Sequence, residues 1–262
     1  MRVLSPDFSW DAFWESVRGA PTRVLALDYD GTLAPFKVER HEAAPYPGVV
    51  EALERMVAQG ATRLVIVSGR DAEDVRQLLG MAQPVEIWGA HGGERLLPDG
   101  EMTIAALEPR DVLGLGAVES LALDLGMGPQ IEKKRLSLAL HWRGLPELTV
   151  KNMVQRLQDA SEIILQHTGL TWRTFDGGME LRPPGVTKAD AVRAILSEVA
   201  DDAALAYLGD DLTDEDAFRA LGDRGLSVLV RPRFRKTAAH VHLTPPKELI
   251  GFLNDWSAAV GG

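Results

Sequence analysis

The sequence predicts an α/β fold, a parallel-sheet domain of alternating strands and helices interrupted by an α+β insertion. Three observations predict it. Short apolar runs end abruptly in polar residues, as at Val24-Leu25-Ala26-Leu27 before Asp28 and Leu64-Val65-Ile66-Val67 before Ser68, the pattern of strands buried on both faces. Segments with helical spacing separate these runs, so right-handed strand–helix–strand crossovers connect them. From about Leu107 to Pro183 the rhythm changes to alternation of apolar and polar residues, which marks half-exposed strands of a different sheet.

Taken in order, residues 8–18 place Phe8, Phe13, Trp14 and Val17 at helical spacings, predicting an N-terminal helix whose aromatics pack on the main body. After the strand ending at Asp28, Pro47 to Gly60 reads as a helix with Pro near its start and Gly after its end. The strand at 64–67 leads into Ser68-Gly69-Arg70, a helix follows from Asp71 to Leu79, and Val85 to Trp88 is a third strand before Gly89-Ala90-His91-Gly92-Gly93. Within the insertion, Leu136 to Arg143 and Leu170 to Phe175 alternate as strands, with helices over 111–125 and 147–166. A helix from Lys188 to Val199, a strand from Ala204 to Leu208 ending in Gly209-Asp210-Asp211, a helix from Glu215 to Ala220 and a strand from Ser227 to Val230 return to the first pattern. The expected organisation is a Rossmann-like core domain, 1–106 and 184–262, split by an inserted α+β cap domain, 107–183.

Composition limits function. The chain has 262 residues, 45% of them hydrophobic, enough for a substantial core. With Lys+Arg 28 against Asp+Glu 38, the net charge of −10 offers no general attraction to nucleic acid or anionic membrane, so an anionic substrate needs a local cationic pocket. There is no cysteine, which excludes thiolate nucleophiles, thiolate metal sites and disulfides. Arg231 to Lys236 holds four cations in six residues and reads as a solvated face. The polar start Met1-Arg2-Val3-Leu4-Ser5-Pro6-Asp7 lacks the apolar run of a signal peptide, and no stretch approaches the roughly 18 apolar residues of a membrane span. The expectation is a cytoplasmic protein with a small-molecule substrate and neither nucleic acid nor membrane as partner.

In an open parallel sheet, ligands bind outside the carboxyl ends of the strands. Those ends carry Asp28-Tyr29-Asp30-Gly31-Thr32, Ser68-Gly69-Arg70 and Gly209-Asp210-Asp211, and Lys188 opens a helix just after the insertion. Several carboxylates at one edge repel one another unless a cation joins them, and oxygen-only ligation beside a phosphate suits Mg²⁺ better than zinc. With Lys188 and a cation neutralising a phosphoryl group, a carboxylate can attack it, and a second carboxyl two residues on can protonate the leaving oxygen and then activate water. Asp28 and Asp30 have that spacing. Gly31 and Thr32 provide a tight turn able to hold phosphate oxygens.

These residues resemble the four motifs of the haloacid dehalogenase superfamily: Asp28-x-Asp30-Gly31-Thr32 the first, Ser68 the second, Lys188 the third and Gly209-Asp210-Asp211-x-x-Asp214 the fourth. The resemblance implies Asp28 as nucleophile, Asp30 as general acid/base, and Ser68 and Lys188 as holders of the phosphoryl group. It implies Mg²⁺ held by the carboxylates of Asp28 and Asp210 and the main-chain carbonyl of Asp30, with Asp214 and Asp211 bound to the ion directly, through water or not at all. The insertion between the second and third motifs resembles the larger cap class, whose members act on small molecules.

Finer matches extend over nearly the whole chain. Leu27 to Leu33, Ser68-Gly69-Arg70, Gly89-x-His91-Gly92, Glu132-x-Lys134, His141-x-Arg143, Glu180-Leu181-Arg182-Pro183 and Gly209 to Phe218 are together similar to trehalose-6-phosphate phosphatases. This implies Thr32, Gly69, Arg70, His91, Lys134, Arg143 and Glu180 as substrate contacts and a functional link to a trehalose-phosphate synthase. Two departures stand out: Thr187-Lys188-Ala189 where the family usually has Asn-Lys-Gly, and Trp142 where it has Tyr between the cap His and Arg. Sucrose phosphate, a glycosyl phosphoglycerate, or non-catalytic binding of a sugar phosphate are the alternatives.

Overall fold

The computed structural model describes residues 1–262 except Val38, Asp176 and Gly262, together with the side chain of Arg40. The chain divides into two compact units, Met1–Ile104 with Thr187–Gly262, and Ala105–Val186. The first part of unit 1 contains β1 (Arg2–Val3), α1 (Trp10–Gly19), β2 (Arg23–Leu27), α2 (Val49–Gln59), β3 (Arg63–Val67), α3 (Ala72–Leu79), β4 (Glu86–Gly89), β5 (Glu94–Leu96) and β6 (Met102–Ile104). Unit 2 contains α4 (Pro109–Asp124), β7 (Ile131–Lys133), β8 (Leu138–His141), α5 (Glu147–Gln166), β9 (Thr171–Phe175) and β10 (Gly178–Arg182). Unit 1 resumes with α6 (Lys188–Ser197), β11 (Ala204–Gly209), α7 (Leu212–Leu221), β12 (Leu226–Val230), β13 (Val241–Leu243) and α8 (Lys247–Val260).

The strands of unit 1 form one sheet in the order β1-β13-β12-β11-β2-β3-β4-β5-β6. Neighbours from β13 to β4 run parallel, while β1 at one edge and β5 and β6 at the other are antiparallel. The apolar runs account for its position in the middle of the unit. Leu25 and Leu27 of β2 and Ala206 and Leu208 of β11 join a core that includes Leu53 of α2, Val75 of α3 and Phe252 and Trp256 of α8. Val24 and Ala26 of β2, with Leu205 and Tyr207 of β11, face the other way into a core with Val192 and Ile195 of α6 and Phe218 of α7. Both faces are therefore dry, and each fully buried Leu or Val contributes about 1.5–3 kcal/mol. The aromatics of α1 pack as expected: Trp14 and Phe252 have ring centroids 5.4 Å apart. Among the sequence expectations, the strand expected from Val85 begins at Glu86, and the helix expected from Glu215 to Ala220 runs from Leu212 to Leu221.

The order also fixes where the site lies. From β2 the chain steps outward through β3 and β4, and after unit 2 it re-enters beside β2 at β11 and steps the other way. The junction of β2 and β11 is the point where the winding reverses, and the crevice beyond their carboxyl ends is the ligand position of such sheets.

Unit 2 is a four-stranded antiparallel sheet in the order β7-β8-β10-β9. Leu138 and Leu140 of β8 and Met179 and Leu181 of β10 pack with Val118 and Ala122 of α4 and Leu157 of α5. Glu180 and Arg182 occupy the opposite face of β10 by the two-residue period of the strand.

Candidate active site

Asp28 follows β2 directly, and its N–H donates to the Leu208 carbonyl of β11 at 2.8 Å. Its carboxylate is buried, 3% exposed. Oδ1 accepts from Lys188 Nζ at 2.5 Å and Oδ2 from Thr32 Oγ1 at 3.1 Å. Burial, and after it the charge of Asp214, pushes the Asp28 carboxyl up to about 7, against the opposing pull of Lys188.

Lys188 is the first residue of α6, capped by the Thr187 hydroxyl, which accepts from the Asp190 N–H at 3.2 Å. Burial and a helix N-terminus both oppose a positive charge. The lysine nonetheless stays charged: burial works to lower its pKa, but Asp214 and Asp28 overcome it and raise it. Lys188 Nζ also donates to Asp214 Oδ1 at 2.8 Å.

Asp214 is buried inside the first turn of α7 and receives four donors. Tyr207 Oη joins Lys188 on Oδ1 at 2.7 Å, and the N–H groups of Asp210 and Asp211 reach Oδ2 at 3.1 and 3.0 Å. An acid at the third helical position reaching back to the N-cap N–H is half of a capping box. Direct ligation of an ion would have to share these four bonds. Asp211 supplies that N-cap position and is half-exposed.

Asp210 differs from both. It is 2% exposed, and its Oδ1 has no hydrogen-bond partner among the described residues. Its carboxyl is pushed well up, by burial first and then by Asp28 and Asp214. Gly31, at φ +83°, lies so close that a Cβ there would overlap the Asp210 carboxylate. One carboxylate oxygen from each of Asp28, Asp210 and Asp214 lies within 4.8 Å of the others. Three buried acids gathered around one ammonium, one of them with an unfilled oxygen, fit a divalent cation with oxygen ligands.

Asp30 is held elsewhere. Arg70 grips it with two parallel bonds, Nε to Oδ2 at 2.6 Å and Nη2 to Oδ1 at 2.7 Å. Ser68 is fully buried, and its Oγ accepts the Arg70 N–H at 3.2 Å. The 89–93 loop straps this turn: the His91 N–H donates to Ser68 O at 2.8 Å and the Ala90 N–H to Arg70 O at 2.6 Å. Ala90 and His91 adopt the left-handed region, φ 46° and 57°, and a Cβ at Gly69 would overlap the His91 ring. Asp28, Thr32, Lys188, Asp210 and Asp214 thus gather at the junction of β2 and β11, while Ser68 stands at the end of the next strand, β3, in the turn that carries Arg70 and its partner Asp30, with His91 beneath that turn.

The residues expected in the insertion are described within unit 2. Glu180 is 1% exposed. Its Oε1 accepts from Ser137 Oγ at 2.6 Å and Lys134 Nζ at 3.0 Å, and its Oε2 from Arg182 Nε at 2.8 Å and Nη2 at 2.7 Å. His141 Nε2 lies 2.7 Å from Glu132 Oε2. Arg143 is exposed, and its Nε would lie 3.0 Å from a Cβ at Gly177. Trp142 packs against the unit 2 core, which accounts for an aromatic at that position without reference to a ligand.

Two features of the site are not expected from the motifs. Tyr207, inside the apolar run of β11, places its hydroxyl on Asp214; a lone Tyr among small apolar residues is its only trace in sequence. The run at 231–236 is not a solvated face throughout: Arg233 and Lys236 are exposed, whereas Arg231 and Arg235 are half-buried and donate to the main-chain carbonyl of Asp210. A chain reversal, invisible to local pattern, turns these two inward.

Comparison with known proteins accords with this geometry. A trehalose-phosphate phosphatase of Mycobacterium ulcerans is 34% identical over 246 residues, taking in 88% of this chain and 60% of that protein. A bifunctional trehalose-6-phosphate synthase/phosphatase of Thermoproteus tenax is 32% identical, over 86% of this chain and 31% of its own length. The chain therefore spans 60% or less of the length of these two relatives. The solved C-terminal domain of a C. albicans trehalose-6-phosphate phosphatase shares the fold, with a TM-score of 0.79 at 21% identity over 98% of this chain and 99% of that one. The family profile described as trehalose-phosphatase matches residues 26–244, from β2 through every strand-end motif to the end of β13, and the chain belongs to the trehalose-phosphatase family.

Proposed function

We propose that this chain is a Mg²⁺-dependent phosphatase that hydrolyses trehalose 6-phosphate to trehalose and phosphate through an aspartyl-phosphate on Asp28. The observation that carries the reading is the buried trio of Asp28, Asp210 and Asp214 beside Lys188, with Asp210 Oδ1 lacking a donor among the described residues. Asp28, Asp210 and the main-chain carbonyl of Asp30 would hold the ion, and Asp214 would serve it by fixing Lys188 and the turn that carries Asp210. Bound there, Mg²⁺ supplies positive charge to the phosphoryl oxygens and to the Asp28 carboxylate.

An oxygen of Asp28 attacks phosphorus as the bond to the sugar oxygen breaks, and Asp30 gives its proton to that oxygen. Asp30, now a carboxylate, takes a proton from a water whose oxygen attacks phosphorus. The bond between phosphorus and Asp28 breaks, returning the free carboxylate and inorganic phosphate. Lys188 and Ser68 hold the transferring group, Thr32 keeps Asp28 aligned, and Gly69 and His91 shape the turn around it. Asp30 must leave Arg70 to reach the leaving oxygen, so the Arg70 pair is a resting arrangement.

In the 107–183 cap, Lys134 and Arg143 recognise the sugar phosphate, and Glu180, being buried, orients Lys134 and Arg182 in place of meeting hydroxyls itself. The bifunctional relative supports a functional link to trehalose-phosphate synthase activity. The test is phosphate release from trehalose 6-phosphate, sucrose phosphate and a glycosyl phosphoglycerate, with and without Mg²⁺. Wild type should prefer trehalose 6-phosphate and require Mg²⁺, and Asp28→Asn should lose roughly a thousandfold or more in kcat. Preferred turnover of another ester rejects the sugar, and binding without turnover of any rejects catalysis.

A further inference from the structure

We propose that Arg235 is a positioning residue that keeps the Asp210 carboxylate aimed at the cation site, by clamping the peptide between Asp210 and Asp211 from its carbonyl side. The inference rests on the reading above that Asp210 holds a divalent cation.

Asp210 is buried, yet its Oδ1 meets no donor among the described residues, and Gly31 constrains the carboxylate only by contact. The direction of the side chain is therefore set by the main chain that carries it. On the amide side that main chain is held by Asp214 Oδ2, which accepts the N–H groups of Asp210 and Asp211. On the carbonyl side Asp210 O accepts from Arg235 Nε at 3.3 Å, Arg235 Nη2 at 3.2 Å and Arg231 Nη1 at 3.2 Å. Arg235 Nη2 also reaches Asp211 O at 2.8 Å. The peptide unit joining Asp210 to Asp211 is thus gripped at its N–H by an acid and at its C=O by two guanidinium groups.

Only an arginine does this with one side chain. Its rigid fork of donors spans two successive carbonyls while Nη1 pairs with Glu215 in the first turn of α7. Glu215 is itself buried and fixes the returning loop by accepting the Ala238 N–H at 2.8 Å. Outer partners that orient a ligand commonly change metal affinity by about 10–100-fold.

A merely structural Arg235 would tie its loop to α7 through Glu215 and have no bearing on the ion. Two variants of the full chain separate the roles. Glu215→Gln weakens the tie but leaves the guanidinium on both carbonyls. Arg235→Gln with Glu215→Gln removes the clamp and both charges together, so that no uncompensated charge is left buried. Mg²⁺ affinity is measured by titration calorimetry, beside melting temperature in chelator. Glu215→Gln should bind Mg²⁺ within about threefold of wild type, and the double variant about 10–100-fold more weakly, with melting temperatures within a few degrees of each other. Equal Mg²⁺ affinity in the two variants, or a loss in Glu215→Gln as large as in the double, overturns the clamp. Should the double variant not fold, Arg235→Lys decides, since lysine keeps the charge but not the fork: wild-type Mg²⁺ affinity there overturns the proposal, and a tenfold loss upholds it. A wild-type chain that binds no Mg²⁺ overturns instead the cation reading on which the clamp rests.

Discussion

Each unit buries a carboxylate among charged neighbours, and the two clusters are balanced in opposite ways. In unit 2, Glu180 accepts from a hydroxyl and two cationic side chains, so acid and base meet inside the cluster. In unit 1, Asp28 and Asp214 share a single ammonium with Asp210 beside them, and Asp210 Oδ1 has no donor among the described residues. A buried charge with a good partner is a structural element, while a buried charge without one is a demand for something from outside. The contrast teaches which carboxylate already has cationic partners in its own unit and which is left to be completed by the cation proposed above.

The largest expected effect tests the structural side. Glu180→Gln removes the charge that Lys134 and Arg182 share and should destabilise the protein by about 3–5 kcal/mol, as breaking a buried ion pair does. Thermal melting checks it, and a loss below about 1 kcal/mol would break the comparison.

The opposite sign is expected in unit 1. Without divalent cations, Asp210→Asn should stabilise the protein by roughly 2 kcal/mol at pH 8, since it removes a buried acid whose Oδ1 has no partner among the described residues. The pH dependence follows from the direction of the shifts. Asp28, up to about 7, and Asp210, well above its ordinary value, hold protons more tightly folded than unfolded. Their contribution to stability is therefore full below the unfolded pKa near 4 and is lost as pH rises through the folded values. The gain from Asp210→Asn should accordingly shrink at pH 5. Saturating Mg²⁺ should raise the wild-type melting temperature and leave that of Asp210→Asn nearly unmoved, as differential scanning calorimetry would record.

The smallest effect sharpens the placement of the lone ammonium. Thr187 caps α6 just before Lys188, and Thr and Asn are comparable caps. Thr187→Asn, the commoner family residue, should shift stability by less than about 0.5 kcal/mol and leave kcat/KM for trehalose 6-phosphate within twofold.

The difference between the clusters also accounts for what the sequence disclosed. Strands buried on both faces announce themselves, because Leu27 and Val67 end unbroken apolar runs where polar residues must begin, and the acids of unit 1 stand at those ends. β10 is hidden for the converse reason. Gly178-Met179-Glu180-Leu181-Arg182 is buried throughout, but Glu180 and Arg182 satisfy each other on one face, so charge disguises a buried strand as a surface segment. The edge strands β1, β5 and β6 are too short to carry a pattern. α8 does carry one, with Leu249, Phe252, Leu253 and Trp256 on its buried side, but it lies beyond the motif-bearing strands from which the fold is inferred. The inward turn of Arg231 and Arg235 depends on a chain reversal after β12, which no local spacing encodes.

The junction of β2 and β11 has one further consequence. The two acids proposed to hold the ion follow adjacent parallel strands in fixed register, Leu27 opposite Leu208. Asp28 therefore stands level with Gly209 and Asp210 one residue beyond, and their spacing is a diagonal of the hydrogen-bonded lattice, about 4.8 Å between strands and about 3.3 Å along them. The gauge of the site is set by backbone repeat and not by the volumes of core side chains. Exchanges of one aliphatic residue for another beneath it can accumulate without changing that gauge. A single inserted or deleted residue in either strand would turn its acid to the opposite face of the sheet. The active site should therefore tolerate drift in composition far better than drift in length.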